Sequence, residues 1–284
     1  MDTIHYIDSR NTSTRLHEKG GVCYLTFPIL EKAGVVHAFS TRLGGVSTGI
    51  YASMNLSFHR EDDPEAVMEN HRRLAAAIGY DPERLVFSDQ VHDTVIRKVT
   101  REDAGKGIIR ETDIIGIDGL VTNEPELPLM TFYADCVPLY FYDPVHRVAA
   151  LAHSGWRGTR ARMGRCMVQY MEREYGCHPE DIISVVGPSI CQNCYEISED
   201  VAEEFRTSFP EQILPELLRD DHNGKYHLNL HRANEYILQD AGLRPDHIGV
   251  TDLCTCCNPK LLFSHRASKG RRGNLGAVIM LTNE

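Results

Sequence analysis

A mixed-sheet architecture of the α/β or α+β class, in one domain spanning residues 1–284, is what the sequence predicts on three observations. Strand-like and helix-like segments intermingle along the chain without a strict strand–helix–strand repeat, which argues against a purely parallel sheet. The stretch from Leu127 to Gly158, LPLMTFYADCVPLYFYDPVHRVAALAHSGWRG, holds two apolar runs rich in β-branched and aromatic residues. They are joined by DPVH, where Asp143 before Pro144 is a favoured opening of a type I turn, so the stretch reads as a β-hairpin. Finally, 284 residues with 42% hydrophobic and 25% charged content describe an ordinary globular chain. A chain of that size can bury about three quarters of its unfolded surface in one core.

Taken in order, residues 22–40 read as two short strands, VCYLTFPIL and VVHAFS, followed by the glycine-rich loop TRLGGVSTG. Gly44, Gly45 and Gly49 permit close backbone approach and Arg42 supplies a fixed cation, so this loop is a candidate anion cradle, with a plain surface loop as the alternative. A helix follows, capped by Asp62 or Asp63, with Pro64 in its first position and Val67, His71, Leu74 and Ile78 on one stripe; Gly79 ends it. His71 is therefore expected to be a packed helix residue. Residues 85–99 alternate apolar and polar as one strand or two, with Gln90 and His92 near a bend. An exposed loop over residues 101–113 leads to IIGIDGLVTN, read as a buried strand with polar breaks.

Beyond the hairpin, SGWRG turns into a helix of about 16 residues that carries Met163, Met167, Tyr170 and Met171 on its apolar side and stops at Gly176. A glycine turn at a helix N-terminus offers free amides and the positive end of the dipole, and Arg157 adds a charge, so this junction is a second candidate anion site. DIISVVGPSI is a strand, a helix runs from about Ser198 to Phe209, and another covers about residues 229–241 before Gly242. The C-terminal LLFSHRASKGRRGNLGAVIMLTN reads as two strands joined by a basic turn. Cys191 and Cys194 form a C-x-x-C, and Cys254, Cys256 and Cys257 a second cluster; a four-thiolate zinc is one reading, and reduced, partly buried thiols are the one the spacing favours.

Composition excludes several classes. The longest apolar runs are too short to cross a bilayer, and the first residues, MDTIHYIDSRNTSTR, have neither a basic start nor an apolar core, so no membrane segment and a cytoplasmic protein are expected. The nine cysteines are then thiols or metal ligands rather than disulfides. A net charge of −10 and pI near 5.8 disfavour a nucleic-acid surface and leave room for a small phosphorylated ligand in a local basic pocket.

If Asp143 and His146 face each other across the turn, Cys136 stands directly opposite His153, with Cβ atoms about 4.5 to 5.5 Å apart. Pro138 donates no ladder hydrogen bond, so the cysteine-bearing strand is expected at a sheet edge or opening on a cleft. Two chemistries fit such a pair. Either His153 activates Cys136 as the nucleophile of a hydrolase or deamidase, or both grip zinc with one further ligand, leaving a fourth position open as in catalytic sites. An ordinary packed Cys and His on one sheet face is the third reading.

The stretches HAFSTRLGGVS, SDQVH, MTFYADCVPLYFYD, LAHSGWRG and VGPSICQNCYEI, and the closing CT followed by FSHR, resemble the YfiH/YlmD family in order and over most of the chain. Its older name is multicopper polyphenol oxidoreductase or laccase-domain protein, and it is now read as zinc-dependent purine nucleoside phosphorylase. The resemblance implies a four-layer α/β/β/α sandwich and a metal site at His92, Cys136 and His153. It also implies phosphorolysis of adenosine, inosine and methylthioadenosine, with adenosine deamination besides. On this reading Arg42 and Arg157 are the candidate phosphate contacts. FSHR stands where the family more often has FSYR, so the resemblance gives His265 no role. A copper oxidoreductase ranks behind the zinc enzyme and the cysteine hydrolase. None of the 14 histidines lies two residues from another, as the paired ligands of a trinuclear copper cluster do, although copper outcompetes zinc at almost any nitrogen and sulfur site. Monomer and homodimer stay open.

Overall fold

The computed structural model describes residues 4–7 and 13–283. Its first elements are β1 (Arg15–Lys19), β2 (Val22–Thr26), α1 (Pro28–Ala33), β3 (Val36–Ser40), α2 (Pro64–Ile78), β4 (Val86–Phe87), β5 (Ile96–Lys98) and β6 (Gly119–Thr122). The middle of the chain supplies β7 (Leu129–Tyr133), β8 (Val137–Asp143), β9 (Val148–Ser154), α3 (Trp156–Arg160), α4 (Met163–Tyr175), β10 (Ile183–Val186), β11 (Glu196–Ser198) and α5 (Glu199–Ser208). The remainder is α6 (Leu214–Leu217), β12 (Leu218–Asp220), β13 (Lys225–Leu228), α7 (Leu230–Asp240), β14 (Ile248–Val250), α8 (His265–Ser268) and β15 (Leu275–Met280).

Two six-stranded sheets result, in the orders β1-β2-β3-β15-β7-β4 and β14-β10-β8-β9-β6-β5, with β11, β13 and β12 in a small third sheet. Both large sheets are mixed: β4 runs parallel to β7 and β5 to β6, whereas β8, β9 and β15 pair antiparallel with their neighbours. The layering is α/β/β/α. Leu25, Phe39, Tyr133, Tyr140, Leu151 and Ala277 fill the space between the sheets. Leu74 and Ala75 of α2 cover the outer face of the first sheet, and Met163, Met167, Ile237 and Leu238 of α4 and α7 cover the outer face of the second. Burial of such side chains stabilises by about 1.5 to 3 kcal/mol each before entropy is counted. Two buried tyrosines also bridge the sheets: Tyr133 donates to the Ala152 carbonyl at 3.1 Å and Tyr140 to that of Ala38 at 2.8 Å. No helix among the described residues is long and apolar enough to cross a membrane.

Where local chemistry decided, the expected elements form. Asp63 caps α2 by accepting from the Glu65 amide, Pro64 opens the helix, and Gly79 closes it with φ of 99°. His71 is fully buried between Phe58 and Phe87, as expected of a packed helix residue.

Several expectations are corrected. Residues 127–158 are not one hairpin, because the chain leaves the first sheet after Tyr133, bends through Ala134, Asp135 and Cys136, and enters the second at Val137. Asp135, at φ of 89°, makes that bend. In the hairpin that remains, Pro138 faces His153 and Asp143 faces Val148. The Asp143 carboxylate accepts from the amides of Val145 and His146, which places four residues outside the ladder instead of two. The register therefore differs from the expected one by two positions, so every side chain keeps its face. Nor is β8 an edge strand, since it lies between β9 and β10. Its pairing with β10 begins at Leu139, and Pro138 contributes a carbonyl to the Gly187 amide where no donor is required of it.

The run after Thr26 becomes α1 rather than strand, started by Pro28 and ended by Gly34 at φ of 81°. Residues 85–99 form two strands in different sheets. The helix expected after SGWRG is broken at Ala161 and Arg162, where Arg162 turns to φ of 61°. At the C-terminus only β15 is a strand; Ser264 instead caps the short α8 by accepting from the Ala267 amide.

Candidate metal centre

Three places where the chain changes sheet or leaves one converge. His92 lies on the connection from β4 to β5 and Cys136 on that from β7 to β8, both of which cross between the sheets, while His153 is the penultimate residue of β9. The His92 segment is docked by Gln90, whose side-chain oxygen accepts from the Phe132 amide at 2.7 Å and whose nitrogen donates to the Phe132 carbonyl at 3.1 Å. Gln90 thus pairs with β7 as a strand residue would. His92 itself has φ of 66°, and its ring lies against that of His153.

Asp118 fixes the rest. Fully buried, its carboxylate accepts from the amides of Val91, His92 and Asp93, each at 3.0 Å, and from Nδ1 of His153 at 2.8 Å. A carboxylate that receives four donors is held in its charged form, and the Asp118 pKa is lowered although burial opposes this. Because Nδ1 of His153 is used as a donor, its Nε2 carries the lone pair whenever the imidazole is neutral.

The ligand atoms of His92, Cys136 and His153 lie within 4.8 Å of one another, with Cys136 Sγ 3.9 Å from His92 Nε2 and the two imidazoles nearly perpendicular at a centroid distance of 4.8 Å. Two imidazoles and a thiolate, one imidazole anchored by a carboxylate, are the donor set and supporting shell of a zinc site with one open position, so the residues fit that metal. Burial alone would raise the Cys136 thiol, but His153 and hydrogen bonds from both histidines outweigh it and bring it down to about 6. Burial would lower His153, but the Cys136 thiolate and Asp118 lift it to about 9. Without metal the two form a thiolate–imidazolium pair. Gly155 completes the geometry: a Cβ there would lie 3.1 Å from both Cys136 Sγ and His92 Cδ2.

The triad stands between two cavities that share His92, Ala134, Cys136 and Arg272 in their walls. One, of about 360 Å³, is polar and includes His59, Arg60 and Asn274. Arg60 and Arg272 both donate to the Asn274 side-chain oxygen, and Nε of Arg272 has no hydrogen-bond partner among the described residues. Burial and the neighbouring Arg60 pull the Arg272 pKa down to about 10. The other cavity, of about 400 Å³, is walled by Trp156, Tyr195, Ile190 and Leu230, with Arg157, His265 and Arg266 at its rim.

Of the residues expected from sequence, His92, Cys136, His153 and Arg157 meet here. The Arg157 guanidinium lies 4.4 Å from the Trp156 ring centroid. Its helix, α3, is five residues long, so the dipole behind that turn is weaker than a 16-residue helix would give. Arg42 is placed elsewhere: it donates to the carbonyls of Ala52 and Pro259, stacks on Phe263 at 4.6 Å, and lines neither cavity. Asp118, Arg60 and Arg272 were not singled out by the sequence. A signal existed for Asp118, an aspartate inside the apolar run IIGIDGLV, since a buried carboxylate must have partners.

Comparisons with known proteins identify the family. The family model described as multi-copper polyphenol oxidoreductase laccase matches residues 36–282. Purine nucleoside phosphorylase YlmD of Bacillus subtilis is 38% identical over 248 residues, covering 86% of this chain and 88% of the relative. The crystal structure of the hypothetical protein YfiH from Bacillus licheniformis superposes with a TM-score of 0.88 at 35% identity, covering 94% of this chain and 98% of that one. That of YlmD from Geobacillus stearothermophilus gives 0.88 at 36% identity over 94% and 99%. The chain therefore belongs to the YfiH/YlmD family of laccase-like proteins.

Proposed function

We propose that this chain is a zinc-dependent purine nucleoside phosphorylase acting in the cytoplasm on adenosine, inosine and methylthioadenosine, and that it also deaminates adenosine. The observation that carries the reading is the wall shared by the two cavities: one metal-competent triad borders a cationic lobe and an aromatic lobe at once. Phosphorolysis needs that pairing, because an anionic phosphate and a flat purine nucleoside must meet with the phosphate oxygen aimed at the ribose carbon.

In this reading the purine stacks in the lobe walled by Trp156 and Tyr195. Arg272, with Arg60 beside it, holds phosphate, since a guanidinium can donate two parallel hydrogen bonds to an oxyanion. Arg157 closes on the phosphate from the aromatic side. Zinc held by His92, Cys136 and His153 would supply Lewis-acid polarisation of a substrate oxygen or nitrogen. Asp118 keeps His153 in the ligating tautomer throughout. Names of relatives support the phosphorylase reading: several, among them the Bacillus subtilis protein, are called purine nucleoside phosphorylases.

A cysteine hydrolase is the second reading, favoured by the order Cys136, His153, Asp118, which is that of nucleophile, base and orienting carboxylate. Product analysis with adenosine separates the readings. Adenine formed only with phosphate supports phosphorolysis, inosine formed without it supports deamination, and no turnover of nucleoside by zinc-loaded protein overturns both. Replacing Cys136 by Ala should remove the metal of this centre and activity together; loss of activity with this centre's metal retained would favour the hydrolase.

A further inference from the structure

We propose that Cys191, Cys194, Cys254 and Cys257 hold a second zinc ion, closed by four protein ligands and structural in role, that joins the two chain segments forming the wall of the aromatic lobe. The four sulfurs lie within 4.8 Å of one another, with Cys194 Sγ 3.4 Å and Cys191 Sγ 3.9 Å from Cys257 Sγ. Four sulfurs about 2.3 Å from a tetrahedral zinc are about 3.8 Å apart along each edge, so the cluster already has the dimensions of the filled site. These separations are far longer than a disulfide, and all four cysteines are free.

The local backbone is arranged for thiolates. The amides of Cys191 and Cys257 both donate to Cys254 Sγ, at 3.2 and 3.4 Å. Cys191–Cys194 closes a single 3-10 turn and Cys254–Cys257 another tight turn, and the two are brought side by side by a bridge between Ser189 and Cys254. In the sequence the triplet around Cys256 disguises the second C-x-x-C; Cys256 is not one of the four.

The place in the fold explains what a metal would do there. The first turn is flanked by Ile190 and Tyr195, and the segment after the second carries His265 and Arg266, all four lining the aromatic lobe. Arg266 donates to the carbonyls of Cys194 and Glu196, while Thr255 and the Arg266 amide donate to the Asp135 carboxylate next to Cys136. Neither segment there is a regular strand or a long helix, so a four-coordinate ion supplies the rigidity that backbone ladders do not.

The test is made on the His153→Ala protein, in which the His/Cys centre is disabled whatever its role. Purified under reducing conditions, it should retain close to one zinc per chain, and cobalt substituted for that zinc should show the strong absorption of a tetrahedral tetrathiolate. Adding Cys257→Ser should remove this metal and the cobalt signature and lower the melting temperature, whereas Cys256→Ser should leave both in place. A His153→Ala protein that binds no metal, shows no thiolate-to-cobalt absorption, or carries disulfides among these four cysteines when freshly purified would overturn the proposal. The spectrum of the His153→Ala protein decides even if the Cys257→Ser chain fails to fold.

Discussion

Asp118 accepts the Nδ1 proton of His153 at 2.8 Å while its other lone pairs receive the amides around His92, so one carboxylate positions two imidazoles that are far apart in the sequence. Replacing Asp118 by Asn would turn an NH₂ towards two of these four donors, leaving donors against donors in a buried site. Zinc affinity should fall about 10- to 100-fold, as for other carboxylates that support a metal-ligating histidine. A competition titration against a chromophoric chelator reads this directly; unchanged affinity in a folded variant would remove Asp118 from the site.

Metal binding should release protons in a defined window. With Cys136 at about 6 and His153 at about 9, the metal-free pair between those values is a thiolate with an imidazolium. A metal needs the neutral imidazole, so close to one proton should leave His153 per ion bound near pH 8, and release should fall towards zero as pH rises through about 9. Calorimetry in buffers of different ionisation enthalpy measures the number. Release of no proton near pH 8 would show that His153 is already neutral.

Gly155→Ala tests the packing of the centre. Gly155 has φ of −68°, which alanine adopts without strain, so the substitution acts through the 3.1 Å approach of the new methyl to Cys136 Sγ and His92. Metal affinity and activity should drop with little change in melting temperature. An alanine variant as active as the parent would show that the ligands have slack.

Arg272→Lys should raise the phosphate KM far more than the nucleoside KM, because lysine cannot reproduce the guanidinium fork. Arg157→Gln should depress phosphorolysis of inosine and spare deamination of adenosine. Equal effects of Arg272→Lys on both substrates, or equal loss of both reactions in the Arg157 variant with zinc retained, would place these arginines outside the phosphate subsite.

How much of this was legible depended on whether the deciding contacts were local. The ends of α2 were readable because Asp63, Pro64 and Gly79 act on their own turn of helix. The residues of β8 and β9 could be put on their faces because a register error of two positions preserves parity, even though Cys136 lies on the bend before β8 and the turn length, set by the Asp143 side chain, was misjudged. The crossing between sheets at Asp135 left no mark, since strand propensity continues through MTFYADCVPLYFY and the bend is imposed by tertiary packing. Arg42 looked like an anion ligand beside its glycines, yet distant carbonyls at Ala52 and Pro259 claim its guanidinium. The C-terminal basic turn looked like solvent-facing charge, and only the fold reveals that Arg272 faces inward next to Arg60.

His92 and Cys136 ride on two of the connections by which the chain passes from one sheet to the other, so the spacing of the centre is also a gauge of how the halves of the sandwich are aligned. A small slide of one sheet over the other changes ligand separation at once. Substitutions at the bridging tyrosines, Tyr133 and Tyr140, should therefore lower turnover as well as the melting temperature. Selection on the reaction alone would then keep the inter-sheet interface in register, many residues away from any substrate.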